Sequence, residues 1–144
     1  MATVADLPAI CVLGRAMHQE STFAPMDYDL ERVKETLGEL MNKSQFVVVA
    51  EGTNGEVIGG MAGMVTQSWF GNDMVANDLA LFVHPDHRGG MLAARLIRVF
   101  VKWARLAGAK QIRPGVMTGS EAAQALYEKL GFRRCGATFV MEGA

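Results

Sequence analysis

At 144 residues the chain has the length of one domain, and its formal charge of −1 leaves out a nucleic-acid binder held mainly by phosphate contacts, which needs a basic face. Half of the residues are hydrophobic and a fifth are charged, as in a chain that folds around its own core, and no apolar run approaches the roughly 20 residues of a membrane span. The two cysteines, Cys11 and Cys135, stand far apart without zinc-ligand spacing, so no metal is called for and two buried free thiols in a reducing cytoplasm are expected. No basic segment precedes the first apolar stretch, so no signal peptide is expected.

Residues 6–17 repeat Leu7, Ile10, Leu13 and Met17 at helical spacing, with Asp6 as N-cap and Pro8 in the first turn. A loop through 18–26 leads to a second predicted helix at 29–41, whose apolar side is Leu30, Val33, Leu37 and Met41. Residues 45–66 read as a hairpin around the turn at 52–55. Gly59, Gly60 and Gly63 inside its second strand point to a bulge or to close approach by another backbone. Residues 74–83 form a third predicted strand, ended by Pro85. The strongest helix, 90–106, carries Leu92, Leu96, Val99, Phe100 and Trp103 on one stripe, with Gly108 as its stop. Its opposite side, with Arg95, Arg98, Lys102 and Arg105, reads as a solvated surface. A short strand at 111–116, a helix opened by a capping box from Thr118 to Glu121, and a last strand at 134–141 complete the chain. This order gives an α/β (α+β) fold around one mainly antiparallel sheet.

The richest chemistry lies where the third strand runs through a two-glycine turn into the long helix. First-turn N–H groups have no partner inside a helix, and with the helix dipole they make an anion site. Arg88 adds a fixed positive charge there. The expectation is a pyrophosphate on the N–H groups of Gly89, Gly90, Met91, Leu92 and Ala93. The same turn also serves simply to reverse a chain, and spacing alone leaves both readings open. Neither GxxxxGK followed by Ser or Thr nor GxGxxG occurs, which disfavours nucleoside-triphosphate and dinucleotide enzymes.

Val83-His84-Pro85 followed by Arg88-Gly89-Gly90-Met91-Leu92-Ala93 resembles the acetyl-CoA loop of the GNAT superfamily of N-acetyltransferases, Q/R-x-x-G-x-G/A after a strand ending Val-x-Pro. Met91 stands where that loop's glycine is usual. Ala123-Gln-Ala-Leu-Tyr127-Glu-Lys-Leu-Gly-Phe132 is similar to the family's A-x-x-L-Y-E-K-x-G-F helix. With the opening Thr3-x-x-Asp-Leu-Pro-Ala-Ile10, the resemblance covers most of the chain. It implies about six strands and four helices. The first strand is expected to be reduced or missing, or to lie upstream of Met1.

The resemblance also implies roles. Acetyl-CoA would be the donor, and the acceptor a primary amine of a small molecule or peptide. Tyr127 would give a proton to the CoA sulfur. A backbone N–H around Phe82 or Val83 would polarise the donor carbonyl. Ser120 stands where some members bond the cofactor arm through Asn. Asn77 stands where some members place a Glu base, so Asp78 beside it is the preferred base, brought inward by a β-bulge. His18 and Glu20 are alternatives, as is ordered water. Trp69 and Phe70 either line the acceptor pocket or cap the core. The family often forms homodimers. A non-catalytic acyl-CoA-binding module is the competing reading, since Asn77, Met91 and Ser120 all depart from the family pattern.

Overall fold

The structure, a computed structural model, describes residues 1–116 and 120–143. A 3-10 turn at Val4–Asp6 enters α1 (Leu7–Gln19), and α2 (Leu30–Asn42) follows. Asp29 caps α2 by accepting a hydrogen bond from the Arg32 N–H at 2.8 Å. Asp6 occupies the N-cap of α1, yet its carboxylate turns back to the Thr3 N–H at 2.7 Å instead of forward into the helix. Next come β1 (Phe46–Glu51), β2 (Val57–Gln67), β3 (Met74–Val83), α3 (Leu92–Leu106), β4 (Ala109–Ile112) and α4 (Glu121–Lys129). The sheet order is β1-β2-β3-β4. The first two pairings are antiparallel, and β4 runs parallel to β3 after the α3 crossover.

Alternation along β1 decides the layering. Phe46 and Val48 pack with Met61, Leu96, Phe100 and Ala104 on the α3 face. Val47 points the other way, to Leu7, Ile10, Leu37 and Leu40 of α1 and α2. The Phe46 ring lies 5.2 Å from both Phe100 and Trp103, aromatic contacts worth about 0.5–1.5 kcal/mol each beyond burial. Among the described residues no helix is long and apolar enough to cross a membrane.

Among the described residues four strands stand where about six were expected. The first is reduced to a single rung, the Ala2 N–H on the Val47 carbonyl at 2.9 Å. The strand expected over 134–141 is not formed. Phe139, Val140 and Met141 there are exposed and have no face to pack on. The strand expected over 111–116 is instead the four-residue β4, which stops before Pro114, a residue with no N–H to donate. α3 starts at Leu92, not Gly90. Thr118 of the expected capping box lies outside the described residues, and Ser120 occupies the α4 N-cap without a side-chain bond. Cys11 is buried as expected, whereas Cys135 is exposed because it sits in the unpaired C-terminal stretch.

The β2 glycines meet both conditions read from their positions. The register shifts between Ala62 and Gly63, so that β3 bulges around Leu79. A Cβ on Gly63 would stand 2.6 Å from the buried Phe100 ring and 2.8 Å from the Asn77 carbonyl. Neither neighbour can retreat, one being core and the other ladder backbone. Gly63→Ala is therefore expected to lower the unfolding free energy by about 1–3 kcal/mol. The check is a lower urea midpoint at unchanged m-value.

Candidate active site

β3 and β4 pair only at the start of β3, from Met74 to Ala76. The Arg113 N–H still reaches the Ala76 carbonyl at 2.8 Å, and beyond it the two strands part. Asp78 crosses this opening, its Oδ1 accepting the Gly115 N–H at 2.9 Å. The bulge makes that crossing possible, since it breaks strict alternation just where Asp78 must face β4 rather than run with its neighbours. Burial pushes the Asp78 carboxyl above the usual carboxylate range, and the Gly115 N–H partly offsets the rise.

Tyr127 approaches from α4. Its residue is 6% exposed, with its ring edge-to-face on Phe132 at 5.3 Å. Burial raises its hydroxyl pKa strongly, and the nearby Asp78 charge raises it further. The hydroxyl makes no hydrogen bond among the described residues. A half-buried carboxylate at the strand opening thus lies near enough to a buried phenol to raise its pKa.

At the C-terminal end of β3, Pro85–His87 forms a 3-10 turn, Arg88 is extended, and Gly89 has φ +82°. The last value belongs to the left-handed region and requires glycine. The chain then enters α3 with Met91 at the N-cap and no capping side chain. None of the N–H groups of Gly89, Gly90, Met91, Leu92, Ala93 and Ala94 donates a hydrogen bond among the described residues; the next one, of Arg95, reaches the Met91 carbonyl. An anion would satisfy what the fold leaves open. Met91 itself is helical, with φ −87° and ψ −3°, so this position needs no glycine. Its side chain joins Ala50, Ile58 and Arg95 along a groove beside α3.

Arg88 is held in place on both sides. Its Nε donates to the Val83 carbonyl at 3.0 Å, and its guanidinium pairs with Glu20 at 2.9 Å. The sequence offered Glu20 only as an alternative base. No local pattern could have given this pairing, because the two residues meet only in the folded chain.

A cavity of about 200 Å³ opens between α1, α2 and the sheet, with Leu79 and Ala80 of the bulge in its wall. Phe82 lines it too, while Gly60 leaves room for the Phe82 ring. Trp69 and Phe70 are 94% and 76% exposed and pack edge-to-face on each other, so they neither line this cavity nor cap the core. His18 lies with its ring 5.2 Å from Tyr28, and its Nε2 is buried without a partner among the described residues. Asn77 sits opposite Met64 in the ladder. Arg95, Arg98, Lys102 and Arg105 are exposed on α3.

Residues 42–134 match the family model described as an acetyltransferase (GNAT) domain. No curated protein sequence matches the chain at a comparable level. Among solved structures, the chain resembles a ribosomal-protein-alanine N-acetyltransferase from Brucella melitensis at 28% identity, with a TM-score of 0.80 over 94% of this chain and 83% of that one. An acetyltransferase from Trypanosoma brucei superposes with a TM-score of 0.76 at 21% identity, over 98% and 95% of the two chains. An aminoglycoside acetyltransferase from an uncultured soil metagenomic sample does so with a TM-score of 0.68 at 22% identity, over 98% and 90%.

Proposed function

Because the chain belongs to the GNAT acetyltransferase family, we propose that it transfers the acetyl group of acetyl-CoA to a primary amine of a small molecule or peptide by direct attack in a ternary complex. The observation that carries this reading is the row of unpartnered N–H groups from Gly89 to Ala94 beside Arg88, a fit for a pyrophosphate at the end of β3. Acetyl-CoA supplies the activated acyl group, and its thioester would lie along the free edge of β3 near Phe82 and Val83.

The residues of the chain divide the remaining work. Asp78 takes a proton from the acceptor's ammonium, freeing the nitrogen lone pair to form the C–N bond. Backbone N–H groups around Phe82 and Val83 meet the charge that develops on the carbonyl oxygen. Tyr127 gives its proton to sulfur as the C–S bond breaks, so that CoA leaves as the thiol, and the proton still carried by the attacking nitrogen returns to the Tyr127 oxygen as the amide forms. Ser120, at the α4 N-cap with its hydroxyl uncommitted to the cap, adds a contact to the cofactor arm.

Thermal unfolding with and without acetyl-CoA tests the reading. At about 100 times the dissociation constant, binding adds about 2.7 kcal/mol, a rise of roughly 5–15 °C for a chain of this size. Arg88→Ala is expected to lose most of that rise. Glu20→Gln is expected to enlarge it, because the pyrophosphate no longer competes with a carboxylate for Arg88; an exposed ion pair of about 0.2–1 kcal/mol translates into a gain of about 1.4- to 5-fold in affinity. No rise at millimolar acetyl-CoA in any of the three proteins would overturn the proposal.

A further inference from the structure

We infer that the acceptor is a small primary amine carried on an apolar body of about phenyl size, with no second positive charge. This rests on the acetyltransfer reading above and names the substrate class for it. The cavity beside the β3 bulge is walled by Ile10, Met17, Val33, Leu37, Ala62 and Phe82. Its volume of about 200 Å³ exceeds the roughly 150 Å³ that suffices for a benzene ring in a dry protein cavity.

The polar groups in its wall are already committed. The Tyr28 hydroxyl donates to the Cys11 carbonyl at 2.9 Å, and the Thr36 hydroxyl donates to the Arg32 carbonyl at 2.9 Å. Among the described residues no carboxylate lines the cavity. Arg32 is the charged residue among its described lining, and its guanidinium pairs toward solvent with Glu35 at 3.8 Å. Arg15 adds a second positive charge nearby, over the Tyr28 ring. An acceptor with a second ammonium would therefore bury it without a counter-ion and beside two arginines, a costly placement. An apolar body meets a wall that is mostly apolar and whose hydroxyls are already bonded. Leu79 and Ala80 of that wall follow Asp78 along β3, so an acceptor in the cavity lies against the strand that carries the base.

The test is a series of acceptors with acetyl-CoA, read as thiol release. From ethylamine through butylamine to hexylamine, kcat/KM is expected to rise about fourfold per methylene until the cavity is full. 2-Phenylethylamine should match hexylamine, and spermidine should fall at least tenfold below it. Val33→Trp, which fills the cavity from α2, should abolish the chain-length trend while keeping the acetyl-CoA thermal shift. Ala62 and Ala80 methyl signals in a carbon-13 NMR spectrum should move on adding 2-phenylethylamine and stay still with spermidine. This readout needs no turnover, and it decides the cavity even if acetyl-CoA fails to bind. A flat series, faster turnover of spermidine or of a peptide with an N-terminal serine, or unmoved alanine methyls would overturn the inference while leaving acetyl-CoA binding intact.

Discussion

Tyr127→Phe is expected to lower kcat by about 10²–10⁴-fold, the usual worth of a positioned proton donor. Acetyl-CoA affinity and thermal stability should hardly change. The contrast follows from the environment of the residue. Its ring supplies the packing, edge-to-face on Phe132 and almost fully covered, and phenylalanine keeps all of that. Its hydroxyl has no hydrogen-bond partner among the described residues, so removing it breaks no bond among them. Burial and the Asp78 charge keep the phenol protonated well beyond neutral pH, which suits a group that must arrive at each turnover carrying its proton. Activity should therefore not fall from deprotonation of Tyr127 anywhere in the physiological range. A tyrosine kept only for packing would give the opposite pattern, with unchanged rate. A protein that binds acetyl-CoA and shows no rate in either form would instead be a non-catalytic acyl-CoA-binding module.

The two motifs that pointed to this family were legible because each is local. The uncapped α3 N-terminus follows from Arg88, Gly89 and Gly90 read in order, and the inward face of Tyr127 follows from its spacing to Ala123 and Leu130. The end of β3 was legible for the same reason, because Pro85 stops the strand. Contacts that join distant segments were not. Glu20 and Arg88 meet only after α1 and the β3 end are both docked on the sheet. Gly115 holds Asp78 only because β3 and β4 part beyond Ala76. The cavity arises between two helices and a sheet, and no single stretch of sequence records it. The C-terminal stretch fails in the other direction. Its apolar residues read as a strand, but a strand also needs a neighbour to supply rungs, and β4 is too short to do so.

Asp78→Asn is the second variant with a large expected effect, and it separates catalysis from stability in opposite directions. Transfer should fall by about 10²–10³-fold near neutral pH, because an amide cannot take the proton of an ammonium. The fold should become no weaker. Asn can still accept the Gly115 N–H through its own carbonyl oxygen, so the link across the strand opening survives. What it removes is a partly buried charge that the fold disfavours, as the raised pKa of Asp78 records. For an acid whose pKa is higher folded than unfolded, the native state binds more protons between the two values. Stability then falls as pH rises from the unfolded value of 3.8 through the raised folded value, and the penalty is complete above it. The wild-type protein should therefore lose stability relative to Asp78→Asn across that window and stay below it at neutral pH. Wild-type kcat/KM should climb with pH through the same raised value, as the base becomes ionised, and the variant should lack that limb. Parallel denaturant titrations and rate profiles of the two proteins check both. A variant that keeps its rate and loses stability would make Asp78 a strand clamp alone and hand the deprotonation to ordered water.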